Sequence, residues 1–248
     1  MKETIYTIPV NEVFAEKCEC PLCELESRFE KETVDYYLGP SLMEPDNRIE
    51  TNETGFCARH YGMMYNTQAN RLGLGLILDT YLLEQNKKLS KLMRVESKSQ
   101  GEKKGLFGRG KKTSSNVDEV YKYISEHLEE CCICSKLSYT MSRYIEVISH
   151  LYVREKEFRE KFNDGLGFCM PHLKLLIEGA KKHLSSSQQD EFFKNLFSMQ
   201  INNLERLEKE VSWFTQKFDY RNNDKPWGTS KDALIRGIKK VSGLKELD

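Results

Sequence analysis

Six of the eight cysteines and two of the five histidines fall into two copies of one arrangement. The first copy is CPLC followed by GFCARH, and its ligand-type residues are Cys20, Cys23, Cys57 and His60. The second is CCIC followed by GFCMPH, and its ligand-type residues are Cys131, Cys134, Cys169 and His172. The two boxes are separated by 33 residues in the first copy and by 34 in the second. The repeat predicts two equivalent sites.

Three thiolates and one imidazole form a complete tetrahedral ligand set for zinc in a closed structural site. The two-residue spacing within each box lets a turn bring both donor atoms to one side, where they chelate a single ion. We therefore expect each copy to hold one metal ion, which gives two zinc ions per chain.

Other uses of these cysteines remain open. Thiolates also bind iron, so an iron-sulfur cluster is the alternative cofactor. A dithiol redox pair or a set of small buried cysteines would also explain C-x2-C. Cys18 and Cys132 each lie two residues before a cysteine of a box, so either is a candidate for exchange with a ligand.

Composition limits the functional classes. The 38 basic residues balance 38 acidic ones, so attraction of the whole chain to nucleic acid is not expected. The N-terminal sequence has no apolar core of a signal peptide, and no apolar run is long enough to cross a membrane. These features predict a cytoplasmic protein without a membrane partner, in which the cysteines stay reduced.

Apolar residues recur at helical intervals after each C-x2-C box, and strand-like alternation is hard to find. A periodic stretch from about Tyr61 to Met93 follows the first C-x2-H box, loosened at Gly73 and Gly75. A helix from about Met170 to His183 follows the second. If each box begins a helix, the ions lie where positive helix N-termini converge. The chain is expected to be all-α.

Further helices complete the predicted fold. Ser187 and Asp190 resemble a capping box for a long last helix. Its apolar residues from Phe197 to Phe218 approach heptad spacing, which predicts packing along a neighbouring helix within a monomer or across a homodimer. Thr229 or Ser230 is expected to begin a short amphipathic helix after Trp227, a side chain expected to anchor this tail.

We divide the chain into four parts. They are a first metal-binding helical repeat (1–95), a basic Gly/Lys/Ser linker (96–116), a second metal-binding repeat with a long helix (117–220) and a tail containing Trp227 (221–248). The predicted fold is thus two pseudo-repeated helical halves, each stapled by its own Cys3His site.

A basic segment crosses the linker. From Lys87 to Lys112 there are ten Lys or Arg and two Glu. Such a segment could bind phosphates of a nucleic acid, although its composition favours a solvated surface tether. Phe107 is its one aromatic side chain for stacking on bases.

The order CPLC, GFCARH, CCIC, GFCMPH and then KFDYRN before a final Trp resembles an uncharacterised family of Gram-positive anaerobes, a domain of unknown function. The resemblance covers nearly the whole chain and implies no activity.

The residues themselves favour a non-enzymatic role. A closed site leaves no coordination position for a substrate water, and the sequence shows no acid/base cluster elsewhere. We expect a zinc-binding interaction or regulatory module with an unknown protein partner. The alternative is a redox or metal-responsive sensor with iron-sulfur or exchangeable thiolate sites.

Overall fold

The computed structural model describes residues 5–93 and 113–244, and within these ranges it contains eleven α-helices, two short 3-10 helices and no strand. The all-α prediction is confirmed. The helices are α1 (Thr7–Ala15), α2 (Pro21–Leu38), α3 (Pro45–Thr54), α4 (Ala58–Asn66), α5 (Arg71–Leu92), α6 (Thr113–Glu129), α7 (Cys132–Arg154), α8 (Lys156–Asn163), α9 (Met170–His183), α10 (Ser186–Gln216) and α11 (Ala233–Ser242). Most of the predicted linker and of the basic segment, residues 94–112, lies outside the described residues.

The chain divides into two compact units. Unit 1 comprises Met1–Phe29 and Leu137–Asp248, and unit 2 comprises Glu30–Lys136. In sequence, therefore, unit 2 is inserted between the two segments of unit 1. These units do not coincide with the repeats 1–95 and 117–220 expected from the boxes.

Each of the four Cys/His boxes begins a helix, as the periodicity predicts. Cys20 directly precedes α2, and Cys131 directly precedes α7. Cys57 is the N-cap of α4, and Cys169 is the N-cap of α9. The ligand-type side chains thus lie at helix N-termini, where free backbone N–H groups carry partial positive charge.

Unit 1 has an aromatic core. Phe162 contacts Phe14, Tyr152 and Phe192, with ring centroids 5.9, 5.0 and 5.4 Å away. These rings come from α1, α7, α8 and α10, and burying them is a large part of the free energy that holds the short helices α1 and α8 in place. The aromatic core lies beside the loop that carries Cys169.

In unit 2, α3 packs along α5, and α5 also contacts α4 and α6. Its buried side chains include Tyr37, Phe56, Met64 and Ile77. The Phe56 ring lies 5.1 Å from Tyr37 and 5.5 Å from Tyr61. Phe56 thereby anchors the loop that carries Cys57.

Some local predictions were wrong in detail. The stretch from Tyr61 to Met93 contains two helices, because the chain turns between Asn66 and Arg71 and Asn70 caps α5 by accepting from the Gly73 amide. The capping box of α10 is formed by Ser185 and Gln188, not by Ser187 and Asp190. Helix α11 begins at Ala233, later than Thr229 or Ser230.

The apolar residues of α10 are only partly covered. Leu207 is buried, whereas Phe197 is exposed, and so is Phe218, which lies just beyond the end of α10. The tail is anchored as expected, because the Trp227 ring lies 5.8 Å from Phe214 and the Lys217 ammonium lies 5.2 Å from the Trp227 ring centroid. No helix among the described residues is long and apolar enough to span a bilayer.

Candidate metal centres

Four ligand-type side chains of unit 1 meet at the N-termini of α2 and α9. This group, centre 1, consists of Cys20, Cys23, Cys169 and His172, whose donor atoms all lie within 4.8 Å of one another. The His172 Nδ1 atom lies 3.5, 3.3 and 3.2 Å from the three sulfurs, in that order. The sulfurs of Cys23 and Cys169 are 3.5 Å apart.

Four further ligand-type side chains meet in unit 2, at the N-termini of α4 and α7. This group, centre 2, consists of Cys57, His60, Cys131 and Cys134, and its donor atoms likewise lie within 4.8 Å of one another. The His60 Nδ1 atom lies 3.2 Å from the Cys57 and Cys131 sulfurs and 3.4 Å from the Cys134 sulfur. The sulfurs of Cys57 and Cys134 are 3.8 Å apart.

All eight predicted residues thus lie in two Cys3His groups, but the prediction that each sequence repeat forms its own site was wrong. The structure combines CPLC with GFCMPH and CCIC with GFCARH. The outer boxes form centre 1 and the inner boxes form centre 2, so the pairing is nested.

Chain entropy explains why spacing could not decide the pairing. Between Cys23 and Cys57 lie 33 residues, whereas 145 lie between Cys23 and Cys169. Because the cost of loop closure grows only with the logarithm of length, the longer loop costs roughly 1 kcal/mol more. The free energy gained by burying a few apolar side chains exceeds that difference.

The distances fit a single tetrahedral ion. With Zn–S of about 2.3 Å and Zn–N of about 2.0 Å, a regular tetrahedron places sulfurs about 3.8 Å apart and nitrogen about 3.5 Å from sulfur. The Cys23–Cys169 and Cys57–Cys134 sulfur distances of 3.5 and 3.8 Å and the nitrogen–sulfur distances of 3.2 to 3.5 Å lie close to these values. All eight cysteines are free thiols. Either group could therefore hold one ion with small adjustments.

The Gly-Phe pair before the third cysteine of each copy shapes the loop. Gly55 and Gly167 adopt φ values of 69° and 87°, a region that other residues rarely occupy. A Cβ atom would come within 2.7 Å of the Tyr81 ring at Gly55 and of Gln200 Oε1 at Gly167. The following phenylalanine is buried in both loops. The pair therefore turns the chain and fixes the start of the ligand helix.

Each histidine directs its second ring nitrogen at a glutamate of α2. The Nε2 atom of His60 lies 3.0 Å from Glu30 Oε1, and Arg59 donates to the other oxygen of Glu30 at 2.7 Å. The Nε2 atom of His172 lies 3.4 Å from Glu26 Oε2. A carboxylate at Nε2 favours the tautomer in which Nδ1 is free to bind a metal.

Within centre 2 the side chains shift one another's pKa. Burial acts to lower the pKa of His60, but its contacts with Cys131 and Glu30 prevail and raise the pKa to about 9. Burial acts to raise the pKa of Cys131, but His60 prevails and lowers it to about 6. Burial and the charge of Cys131 raise the pKa of Cys134 to about 12. These shifts favour an ion pair between a Cys131 thiolate and His60, and a bound metal ion would take the place of the proton on His60 Nδ1.

Centre 1 shows the same pattern. Burial acts to lower the pKa of His172, but the neighbouring thiols and Glu26 raise it to about 11. Contacts with Cys20, Cys23 and His172 hold the pKa of Cys169 far below its usual range. The clustered donors favour a charged pair even where burial opposes it.

The two remaining cysteines lie outside both groups. Burial raises the pKa of Cys18 to about 11 and that of Cys132 to about 12, so both favour the neutral thiol. The Cys132 sulfur lies 3.7 Å from the carbonyl oxygen of Glu50. Neither side chain therefore completes a four-ligand group in the described structure.

The loop before Cys169 is also fixed from outside the metal-ligand set. The buried Gln200 side chain of α10 accepts from the Phe168 amide at 2.8 Å and donates to the Phe168 carbonyl at 2.9 Å. The Lys240 ammonium of α11 donates to the Leu166 carbonyl at 2.7 Å. These contacts hold the loop through side chains that are not metal ligands.

A family model matches the chain over residues 1–248, the model of a family of unknown function (DUF6062). The chain belongs to this family. The match confirms the resemblance to a family without an established activity. The comparison with curated proteins finds no match, and the comparison with solved structures finds none. The functional proposal for this DUF6062 chain therefore rests on the chemistry of its two centres.

The motifs of this DUF6062 chain do not predict several residues that contact the ligands or their loops. Glu26 and Glu30 follow Cys23 by three and seven residues, which places them on the helix face that carries this ligand. This helical spacing from Cys23 is the sequence feature that could have indicated both glutamates. Gln200 and Lys240 lie far from the boxes in sequence, and nothing in their spacing indicates their contacts with the ligand loop.

Proposed function

We propose that the chain is a cytoplasmic, non-enzymatic zinc protein whose two Cys3His centres hold its helices in place for an interaction or regulatory role. The observation that carries the proposal is the convergence of four donor atoms within 4.8 Å in each unit. A structural zinc site contributes its binding free energy to folding.

The donor set favours zinc in a closed site. Three thiolates and a neutral imidazole around a divalent ion carry a net charge of minus one, which the helix N-termini at each centre help to offset. Four protein ligands leave no position for a catalytic water. This supports a structural role over an enzymatic one.

The spacing of the donors also weighs against an iron-sulfur cluster. In a cluster the ligands bind different iron atoms that are separated by bridging sulfides. Four donors within 4.8 Å of one another surround a space suited to a single ion. Two mononuclear zinc ions per chain are the cofactor content that this geometry supports.

Paired double variants test both the metal content and the nested pairing. Cys20→Ser with Cys169→Ser changes only centre 1 and should remove one zinc equivalent. Cys20→Ser with Cys57→Ser changes both centres and should remove two. The measurement is zinc per chain by elemental analysis of protein purified without added metal, with the wild type expected to hold two equivalents.

Three results would each contradict one part of the proposal. Wild-type protein without stoichiometric metal would remove the basis for the zinc function. If instead the first double variant lost two equivalents and the second lost one, zinc binding would stand but the nested pairing would be wrong. Visible absorption of thiolate-bound iron in the purified protein would replace zinc by iron.

A second candidate function, a redox or metal-responsive sensor, is favoured by one observation. Cys134 is exposed, and it is the only exposed residue of the eight grouped ligands in the described structure. Oxidants and competing thiols reach an exposed ligand first. Hydrogen peroxide should then release metal from centre 2 before centre 1. Equal rates of release would contradict the sensor function and leave only the structural role.

Partner binding is proposed on the exposed helical surfaces. Helix α6 has exposed apolar side chains at helical intervals, and these are Val117, Tyr121, Ile124 and Leu128. Such a stripe suits an apolar partner helix, from another protein or from a second copy in a homodimer. Nucleic acid is the alternative partner, through the basic segment Lys87–Lys112.

A further inference from the structure

Lys240 is a buried cation on α11, with 1% of its surface exposed. Its ammonium donates to the Glu19 carbonyl at 2.6 Å and to the Leu166 carbonyl at 2.7 Å, and it lies 3.0 Å from Glu19 Oε2. An ammonium so deeply buried needs such partners, because desolvation of an unpaired charge costs several kcal/mol.

The two carbonyl partners lie in the two loops that lead into the ligand-bearing helices of centre 1. Glu19 directly precedes Cys20, and Leu166 precedes Cys169 by three residues. One ammonium group therefore joins the loop before α2 to the loop before α9. A metal ion at centre 1 would join the same two loops through Cys20 and Cys169.

The end of α11 also lies against a ligand. A Cβ atom on Gly243 would come within 2.9 Å of Pro171 and within 3.5 Å of the Cys169 sulfur. Gly243 caps α11 in the left-handed conformation, with φ of 70°, so a substitution there would be strained as well as crowded.

Ion pairs extend the attachment of α11 to the rest of unit 1. Arg236 donates to Glu19 at 3.1 Å and to Glu210 at 2.5 Å, and Arg206 pairs with the same two glutamates. Glu19 thus receives Arg206 from α10 as well as Arg236 and Lys240 from α11. The docked position of α11 depends on where the loop before Cys20 lies.

We propose that Lys240 is a positioning residue for centre 1, and that docking of α11 and binding of metal at centre 1 are coupled. Metal holds the two loops at the separation that the Lys240 contacts require, and docked α11 holds them at the separation that the metal requires. This inference rests on the proposed metal binding. Because coupling between two equilibria is reciprocal, each should change the other by the same factor.

The first test measures metal affinity at each centre. Zinc-loaded wild type, Lys240→Met and Lys239→Met are titrated with a chelating indicator, and the release steps are assigned with Cys169→Ser for centre 1 and Cys57→Ser for centre 2. Lys240→Met should weaken zinc binding at centre 1 about tenfold or more and leave centre 2 unchanged, as outer-shell changes do. Lys239→Met removes the same charge from the neighbouring position and should change neither centre.

The second test measures the reverse effect and does not alter Lys240. Amide hydrogen exchange of α11 is compared in wild type, in Cys23→Ser at centre 1 and in Cys134→Ser at centre 2. Protection of α11 should fall about tenfold or more in Cys23→Ser only, by the reciprocity of the coupling. Protection of the buried part of α10 around Leu196 reports whether unit 1 remains folded.

The outcomes separate this inference from the proposed function. If wild type holds two zinc ions but Lys240→Met binds zinc at centre 1 as tightly as wild type, the coupling is wrong and the zinc function stands. Unchanged α11 protection in Cys23→Ser, or equal loss in Cys134→Ser, also overturns it. Should Lys240→Met fail to fold, the exchange experiment decides alone. Wild type without metal overturns the function itself.

Discussion

The carboxylates at the two histidine ligands differ in burial and in distance. Glu30 is buried, lies 3.0 Å from His60 Nε2 and is itself paired with Arg59. Glu26 lies 3.4 Å from His172 Nε2 with about a quarter of its side chain exposed. Because a shorter and less hydrated contact is stronger, we expect Glu30 to contribute more to its centre than Glu26 does.

Replacing Glu30 tests this difference. Glu30→Gln removes the charge that orients His60, so zinc affinity at centre 2 should fall about tenfold or more. Glu26→Gln should weaken centre 1 by a smaller factor. Chelator competition measures both, and each variant is the other's control. An equal loss at both centres from either variant would show general destabilisation instead.

Glu210 gives a residue-level pH dependence away from the metal ligands. Burial acts to raise its pKa, but Arg236 and Thr229 prevail and hold the pKa below the ordinary value of 4.5. A carboxyl group whose pKa is lowered by folding stabilises the fold above its unfolded pKa, and this stabilisation disappears as the pH falls through the folded pKa.

The matching variant is Glu210→Gln. At pH 7 it should be less stable than wild type by about 1 kcal/mol or more, since a hydrogen-bonded, half-buried charge pair is broken. The difference should shrink as the pH falls below about 4.5, the ordinary value for this carboxyl group. Urea unfolding across pH measures it, and a difference that does not change with pH would contradict the assignment.

The sequence indicated the residues of the two Cys3His groups but not the side chains that surround them. Cys57 and His60 are recognisable because thiol and imidazole at close spacing have few purposes other than metal binding. Glu30 is one glutamate among several on α2, and its type says nothing about burial. Lys240 is harder still, since lysine at a helical position usually faces water.

At the scale of elements, the boxes and the helix starts are the same feature. Each C-x2-C box directly precedes a helix or enters it, and each C-x2-H box begins with an N-cap cysteine. Backbone N–H groups at these four starts stabilise thiolate charge, and bound metal would in turn fix the first turn of each helix. Helix position and ligand position therefore follow from one local sequence.

The capping box of α10 gives an element-level test. Ser185 and Gln188 satisfy each other's backbone N–H groups, so Ser185→Ala should cost about 1 kcal/mol. Ser187→Ala, in the Ser187–Asp190 pair that the sequence pattern favoured, should lower the free energy of unfolding by clearly less. Thermal unfolding of both variants at fixed zinc concentration makes the comparison. A larger effect at Ser187 would restore the original assignment.

Helix existence was easier to predict than helix limits. The long helices α7 and α10 have sustained apolar periodicity, whereas α1, α3 and α8 are 8 to 10 residues long and depend on contacts made elsewhere in their units. Phe14 and Phe158 show the reason, because these buried rings of α1 and α8 contact each other and Phe14 also stacks on Phe162. A short stretch of sequence does not show such stabilisation by contacts between distant residues.

At the scale of the whole molecule, each compact unit contains all four residues of one centre. Removing zinc should therefore destabilise both units. Incubation with excess chelator should lower the melting temperature or unfold the helices, followed by circular dichroism, and added zinc should restore them. Cys169→Ser should leave unit 2 protected from hydrogen exchange, and Cys57→Ser should leave unit 1 protected.

The whole-molecule arrangement could not be predicted from the repeat. Matched spacing favoured pairing within each copy, and the two alternatives differ by roughly 1 kcal/mol of loop entropy. The nested pairing depends on which helices share a core, such as the contact of Phe168 with Phe162. That information is distributed over distant apolar side chains, and no box contains it.

The nested order of the boxes has a consequence during synthesis. The chain leaves the ribosome from its N-terminus, so the first complete set of three thiols and one imidazole to emerge is Cys20, Cys23, Cys57 and His60. That set belongs to neither native centre. The ligands of centre 2 are complete once Cys134 emerges, and those of centre 1 only with His172. A nascent chain that captures zinc early must therefore exchange it between thiols before the native fold can form.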